Sequence, residues 1–357
     1  MTDNIEQIIE KVSAGTRISE AEALALLESR ELIAAGQAAD ATRRRMLLGD
    51  DVTFVVDRNI NYTNFCTTGC DFCAFHRPIG SDEGYLLSND QIFQKIEETI
   101  ELGGTGIMMQ GGLHPKLGID YYEELFRAIK ERYDITIHSL SPPEIYHISK
   151  VSRLPLDETL ARLKQAGLDS LPGGGAEILV NEVRHRMSPK KIDADTWMSV
   201  MRSAHEAGLK STATMMFGSV ETLADRIEHL RRIRDLQDET GGFRAFIPWT
   251  FQETNTELEG TASSSGIDYL MTLAVSRIYL DNVPSIQASW VTQGLKVAQV
   301  SLMFGANDMG STMIEENVVA AAGVSYRVGK EELVAAIRAA GRRPVQRDNA
   351  YQPVDFP

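Results

Sequence analysis

From Val52 onward the chain alternates short apolar or β-branched runs with amphipathic helical patterns. VTFVV (52–56), TGIMMQ (105–110), ITIHSL (135–140), SLPGGGAEIL (170–179), KSTATMMFG (210–218), FRAFIPWTF (243–251), VPSIQASW (283–290) and the segment 306–314 are the strand-like runs. Each interval carries helical signals. Ser88 and Gln91 form a capping box, Ile92, Ile96 and Ile100 share one face, and Gly103-Gly104 stops the pattern. Eight strand-like runs separated by seven helical patterns over about 260 residues have the size and rhythm of a (β/α)8 TIM-type barrel, an α/β fold. A doubly wound open sheet is the structural alternative, and it needs fewer strands. The barrel is expected over residues 49–314. Residues 1–48 read as an N-terminal helical segment, with a Ser19/Glu22 capping box ahead of Leu24 and Leu27. Residues 315–357 read as a C-terminal extension packing on the barrel, with a helix at 330–340 and a Pro-containing tail.

The net charge of −14 argues against nucleic-acid or anionic-membrane partners, which would be repelled at long range. No 18-residue apolar run exists, and the N-terminus is acidic and amphipathic, unlike a signal peptide. A cytoplasmic protein is expected.

All three cysteines, Cys66, Cys70 and Cys73, fall within eight residues of a 357-residue chain, spaced C-x3-C-x2-C. So tight and odd a set is a poor disulfide framework and a plausible set of metal-binding thiolates. A structural zinc site wants four ligands, and His76 is a candidate fourth. An electron-transfer cluster normally takes four cysteines. Three thiolates on one loop instead leave one iron of a [4Fe–4S] cube open to bind something else. The loop follows the first strand, where barrel enzymes place their chemistry.

CTTGCDFC (66–73) resembles the signature of the radical S-adenosylmethionine (SAM) superfamily. The resemblance implies that Cys66, Cys70 and Cys73 hold three irons and that SAM chelates the fourth through its amino and carboxylate groups. Reduction would cleave SAM to a 5′-deoxyadenosyl radical, and Phe72 would pack near the adenine. At the second strand end, MQGGLHP, the superfamily often has an acid that contacts the SAM amine. Leu113 stands there in this chain, so the carbonyls of Gln110, Gly111 and Gly112 are expected to serve. Ser139 and Ser141 sit at the next strand end. Glu177, after three glycines, is placed to accept from a ribose hydroxyl or the SAM amine. Glu221 reads as first-turn helix electrostatics. His114, two residues beyond the glycine pair, is a candidate catalytic or binding residue.

SLPGGGAEIL, ATMMFGSVET, FIPWTFQ, SWVTQG and GANDMGSTMIEENVV together resemble one small group of radical SAM enzymes. It comprises aminofutalosine synthase, the F0 synthase subunits and the dehypoxanthine futalosine cyclases of the futalosine route to menaquinone, and the likeness to the cyclases is the strongest. It implies hydrogen abstraction from C4′ of the ribose of dehypoxanthine futalosine, attack of that carbon on the attached aryl ring, and loss of a proton and an electron. Trp249 and Trp290 would wall the aryl group, and Thr250, Gln287, Ser289 and Asn307 would bind the sugar. Asp308 would bind ribose hydroxyls or accept the proton. A reductase, flavodoxin or ferredoxin would supply electrons. The alternatives are an aminofutalosine or F0 synthase activity, an iron–sulfur electron carrier and a zinc-stabilised binding protein.

Overall fold

Three helices, α1 (Ile5–Ser13), α2 (Glu20–Glu28) and α3 (Leu32–Met46), precede the first strand in the computed structural model. The structure describes residues 5–47, 49–261, 264–324 and 326–354, so the outer ends of the expected terminal segments, 1–4, 48 and 355–357, lie outside it. The chain continues as β1 (Asp51–Val55), β2 (Asp57–Ile60), α4 (Asn89–Glu101), β3 (Gly106–Met109), α5 (Ile119–Arg132), β4 (Thr136–Ser139), α6 (Pro142–Ser152) and α7 (Leu156–Ala166). Next come β5 (Ser170–Leu171), α8 (Asn181–Met187), α9 (Ala194–Glu206), β6 (Lys210–Phe217), α10 (Leu223–Thr240), β7 (Phe243–Thr250) and α11 (Gly266–Tyr279). The remainder is β8 (Ser285–Ile286), α12 (Trp290–Ser301), β9 (Asp308–Ser311), α13 (Val318–Ala321), α14 (Lys330–Ala339) and β10 (Arg343–Arg347). Both capping boxes form. Ser19 and Ser88 accept from the amides of Glu22 and Gln91, whose side chains accept in return.

The strands pair in parallel as two sheets, β2-β3-β4-β5-β6-β7-β8 and β10-β1-β9. Two junctions join them. β1 passes into β2 through Val56 alone. At the other edge the Asn307 amide donates to the Ile286 carbonyl at 3.1 Å and the Ala288 amide to the Asp308 carbonyl at 2.8 Å. Taking β1 and β2 as one bent stave, eight staves make a continuous circuit, the expected TIM-type architecture.

Two strands were not foreseen. β2 reads DRNI, too polar to look like a core strand, yet all four residues are buried. β10 reads RPVQR and lies in the presumed tail, where it pairs with β1 from Asp51↔Arg343 to Val55↔Arg347. The extension is therefore built into the sheet.

Register places inward side chains in layers. Asp57, Gly106 and Thr136 are adjacent at the bottom; Asn59, Met108 and His138 are adjacent one layer up. Gly106 leaves a gap that the tail fills, since a Cβ there would lie 2.2 Å from Asn349 Nδ2. Arg244, on β7, donates to the Asn349 carbonyl at 3.0 Å from across the barrel. The tail thus plugs the N-terminal mouth and leaves the C-terminal mouth for chemistry. The N-terminal helices cover one flank, with α3 against α11 and α2 against α10. Arg17 clamps that flank by pairing with Asp238 at 2.5 Å and Asp281 at 2.8 Å.

Candidate active site

The cysteine loop leaves the top of β2 and is pinned from several directions. Asn64 ties it to its own returning arm, accepting from the Tyr85 amide at 2.8 Å and donating to the Glu83 carbonyl at 3.0 Å. The Thr67 amide donates to the Leu113 carbonyl beyond β3, and the Asp71 amide to the Met187 carbonyl at the end of α8. Glu257, in the loop after β7, donates its amide to the Asp71 carbonyl at 2.8 Å. Such anchoring holds the three thiols before any ligand arrives. Gly112 lies directly against the loop: a Cβ there would sit 2.2 Å from the Phe65 carbonyl oxygen and 2.9 Å from Cys66 Cβ.

Burial pushes the Cys70 thiol up to about 12, against the pull of Lys191. Burial also raises Cys73, but hydrogen bonds from the His76 side chain and from the His76 and Phe75 amides outweigh it and hold this thiol below its ordinary value. Lys191 is half-buried beside the loop, 5.2 Å from the Phe72 ring centroid. Its ammonium donates to Glu177 Oε1 at 2.9 Å, while Glu177 Oε2 has no hydrogen-bond partner. Glu177 also takes a left-handed backbone, φ 41°, which aims the carboxylate out of the β5–α8 turn.

Below the loop, a cavity of ≈ 270 Å³ runs down the barrel axis. Glu177, Gln110 and Gly174 line its upper part, Trp249, Gln287 and Trp290 one side, and Asn59 and His138 the opposite wall. Asp57, Arg347 and Tyr351 form the floor. Trp290 is fixed by its Nε1 donating to the Ser311 carbonyl at 3.0 Å. The Gln110 and Gln287 side-chain amides make no hydrogen bond among the described residues, so both are open to a ligand.

Several expected site residues have other work. Asp308 is fully buried and does not line the cavity. Its carboxylate accepts from Arg347 Nε at 2.6 Å, Thr53 Oγ1 at 2.5 Å and the Gly310 amide at 2.6 Å, so it closes the barrel and is not a proton acceptor. Asn307 accepts from Arg277 at 2.7 Å and the Ile286 amide at 2.9 Å, tying β9 to β8 rather than binding sugar. Ser139 donates to the Met109 carbonyl, and Ser141 donates to Glu144 in the N-terminal box of α6. His114 stands outside the cavity, edge-on to Phe65, with Nδ1 accepting from the Lys116 amide at 3.2 Å. Thr250 accepts from Gln293 at 2.6 Å and faces a separate pocket. Gly111 and Gly112 are glycines for packing, because Cβ atoms would strike the Tyr62 ring and the Phe65 carbonyl. Glu221 is structural but lies ahead of the α10 cap rather than in the first turn, where it accepts from the Gly218 and Ser219 amides and pairs with Arg226.

Sequence reasoning missed Asp57, Asn59, His138, Lys191, Arg347 and Asn349. For His138 a signal existed, a polar residue inside the apolar run ITIHSL; for Asn59, in the polar stretch DRNI, there was none.

Residues 60–233 match the radical SAM superfamily model, and residues 240–357 match the CofH/MqnC C-terminal region. The chain is 46% identical over 353 residues to cyclic dehypoxanthine futalosine synthase of Streptomyces coelicolor, spanning 98% of this chain and 88% of that one. This chain belongs to the radical SAM superfamily. A second relative, cyclic dehypoxanthine futalosine synthase of Halalkalibacterium halodurans, is 48% identical over 98% of the radical SAM chain and 95% of its own length. Aminodeoxyfutalosine synthase of Thermus thermophilus is 41% identical over 97% and 95% of the two chains. The solved structure of methylornithine synthase superposes with a TM-score of 0.73 at 21% identity, covering 94% of this chain and 97% of that one, and supports the fold.

Superfamily membership implies a [4Fe–4S] cluster on cysteine thiolates, together with SAM. The residues present fit both groups. Cys66, Cys70 and Cys73 are free thiols on one loop that is pinned to β3, α8 and the loop after β7. Glu177 Oε2 lies 3.5 Å from the Arg184 guanidinium but has no hydrogen-bond partner, and with Glu177 lining the cavity it can still accept from a hydroxyl or ammonium of a bound cosubstrate.

Proposed function

We propose that this radical SAM chain cyclises dehypoxanthine futalosine to cyclic dehypoxanthine futalosine in menaquinone biosynthesis. The observation that carries the reading is 46–48% identity, over 98% of this chain, to two relatives of that named activity. Cys66, Cys70 and Cys73 would hold the cluster, and Glu177, Gln110 and the Phe72 ring would contact SAM. When bound and reduced, these groups supply a 5′-deoxyadenosyl radical able to take a hydrogen atom from the substrate ribose.

The protein's own part is positional. Trp249 and Trp290 offer flat apolar faces to the aryl ring, and Trp290 cannot swing because its Nε1 is held. The barrel walls and the tail plug exclude water and stray hydrogen donors from the sugar carbon and the ring it must reach. Gln287 lies on the Trp wall with its amide uncommitted, and Ser289 begins α12 beside it, so both can hold sugar oxygens. The net change is loss of two hydrogens: one as an atom, the other as a proton with an electron. A cytoplasmic reductase, flavodoxin or ferredoxin is the proposed source of the priming electron.

The test is anaerobic incubation of the reconstituted protein with SAM, dithionite and dehypoxanthine futalosine, followed by mass spectrometry. A product two hydrogens lighter, formed with 5′-deoxyadenosine, supports the cyclase. A product that retains the adenosyl group would instead mark an addition reaction of the aminofutalosine synthase kind. SAM surviving with an unresponsive cluster spectrum would overturn the radical reading itself.

A further inference from the structure

The middle layer of the barrel contains polar groups that the fold does not use. Asn59 is 3% exposed and faces the cavity, yet its Oδ1 has no hydrogen-bond partner and its amide nitrogen makes no hydrogen bond among the described residues. A native core seldom leaves a buried carboxamide unsatisfied, because the desolvation cost goes unrecovered. Two strands away in the same register, His138 also faces the cavity. Its Nδ1 lies 2.7 Å from Ser170 Oγ, which sets the ring, and its Nε2 makes no hydrogen bond among the described residues. Only Met108 stands between the two residues on that wall.

The chemistry of this layer selects its ligand. His138 is neutral at physiological pH, burial together with Arg244 and Arg347 holding it down to about 3. The cations below are already committed: Arg347 to Asp308 and Arg244 to the Asn349 carbonyl. The hydrogen bonds these guanidiniums make run to Asp308 and to the tail carbonyls of Asp348 and Asn349, so neither supplies a donor to this layer. A neutral group with paired hydroxyls would satisfy both the amide and the imidazole. We infer that Asn59 and His138 form a sugar-hydroxyl subsite that holds the substrate's ribose from below, its opposite face toward the cysteine loop and its aryl group against Trp249 and Trp290. The inference rests on the cyclase reading and extends it to two positioning residues.

The experiment uses full-length reconstituted enzyme with SAM but no reductant, so that substrate binds without turning over. Dehypoxanthine futalosine is titrated against tryptophan fluorescence for the wild type, Asn59→Leu, His138→Leu and His138→Gln. Product and 5′-deoxyadenosine are then counted under reducing conditions. Asn59→Leu and His138→Leu should weaken binding roughly 10- to 100-fold, the range for leaving buried hydroxyls unpaired. They should also release 5′-deoxyadenosine in excess of product, whereas His138→Gln, which keeps a donor and an acceptor, should recover much of both. The substrate-free Asn59→Leu protein should melt no lower than wild type, because it loses an unsatisfied polar group. Unchanged affinity and one-to-one coupling in both leucine variants would overturn the subsite. So would a lower melting temperature for Asn59→Leu with binding intact, which would make Asn59 structural. Failure of the wild type to bind or convert the substrate would sink the cyclase reading, and the sugar assignment with it.

Discussion

Arg347 Nε donates to Asp308 Oδ2 at 2.6 Å, and Arg347 Nη2 to Oδ1 at 3.1 Å, joining the C-terminal tail to β9 through a buried bidentate pair. Arg347 lines the cavity floor with Asp308 buried behind it, where β10 runs beside β1. Removing one partner leaves the other charge buried and unpaired, at a cost of about 3–5 kcal/mol. Arg347→Met should therefore lower the urea midpoint markedly. Arg347→Met combined with Asp308→Asn should recover part of that loss, and equal midpoints for the single and double variants would contradict the coupling.

Each single substitution Cys66→Ala, Cys70→Ala or Cys73→Ala should strip the reconstituted protein of its iron–sulfur absorption and of SAM cleavage. His76→Ala should keep the iron, since it is not counted among the ligands. Iron content by colorimetry after anaerobic reconstitution decides the matter, and retention of a full cluster in any cysteine variant would remove that residue from the ligand set.

Lys191 is a half-buried cation beside Cys70, and Glu177 is its partner. Burial pulls the Lys191 value down, but Glu177 and Cys70 more than offset this, so the ammonium stays charged. A positive charge so near the thiolates favours the reduced cluster. Lys191→Met should move the reduction potential to more negative values in an EPR-monitored titration. Glu177→Gln should weaken SAM binding roughly tenfold or more, the scale for losing a charge-assisted hydrogen bond.

Acid sensitivity should come from buried neutral histidines. Burial holds His138 and His229 down to about 3 and His205 to about 4. Unfolded, each titrates near ~6.5. Between about pH 4 and 6.5 the unfolded chain therefore binds the extra protons, so stability is full above ~6.5 and falls as the pH drops, by about 1.4 kcal/mol per histidine per pH unit. Denaturant midpoints measured from pH 7 to 5 should decline steeply, and His229→Gln should make the decline shallower. A flat profile over that range would refute buried neutral histidines as its cause.

Much of the architecture was legible because its signals are local. Strand-like runs such as KSTATMMF and FRAFIPWT alternate with capped amphipathic helices, and both capping boxes use side chains three residues apart. The three cysteines are likewise confined to eight residues, so their chemistry could be read without knowing what surrounds them. Glu177, Gln110, Gln287 and both tryptophans could be placed on the cavity from sequence because they lie at or just beyond the C-terminal ends of strands. Asp308 and Asn307 were misjudged because nothing near them in the chain reveals Arg347 and Arg277, the cations that occupy them.

The sequence by itself determined a barrel-forming alternation and an open cluster of thiols at the first strand end. Only the tertiary structure decided which polar residues inside the barrel are committed and which are free. His138 looks like an interruption of an apolar strand, and Asp57 and Asn59 look like part of a polar loop, until register stacks them in layers, because a buried polar group is defined by partners from other staves. The same holds for the tail. RPVQR is unremarkable in sequence and becomes a strand because β1 has an open edge there and Gly106 leaves room for Asn349. Local spacing cannot encode a gap that two segments over 200 residues apart fill together.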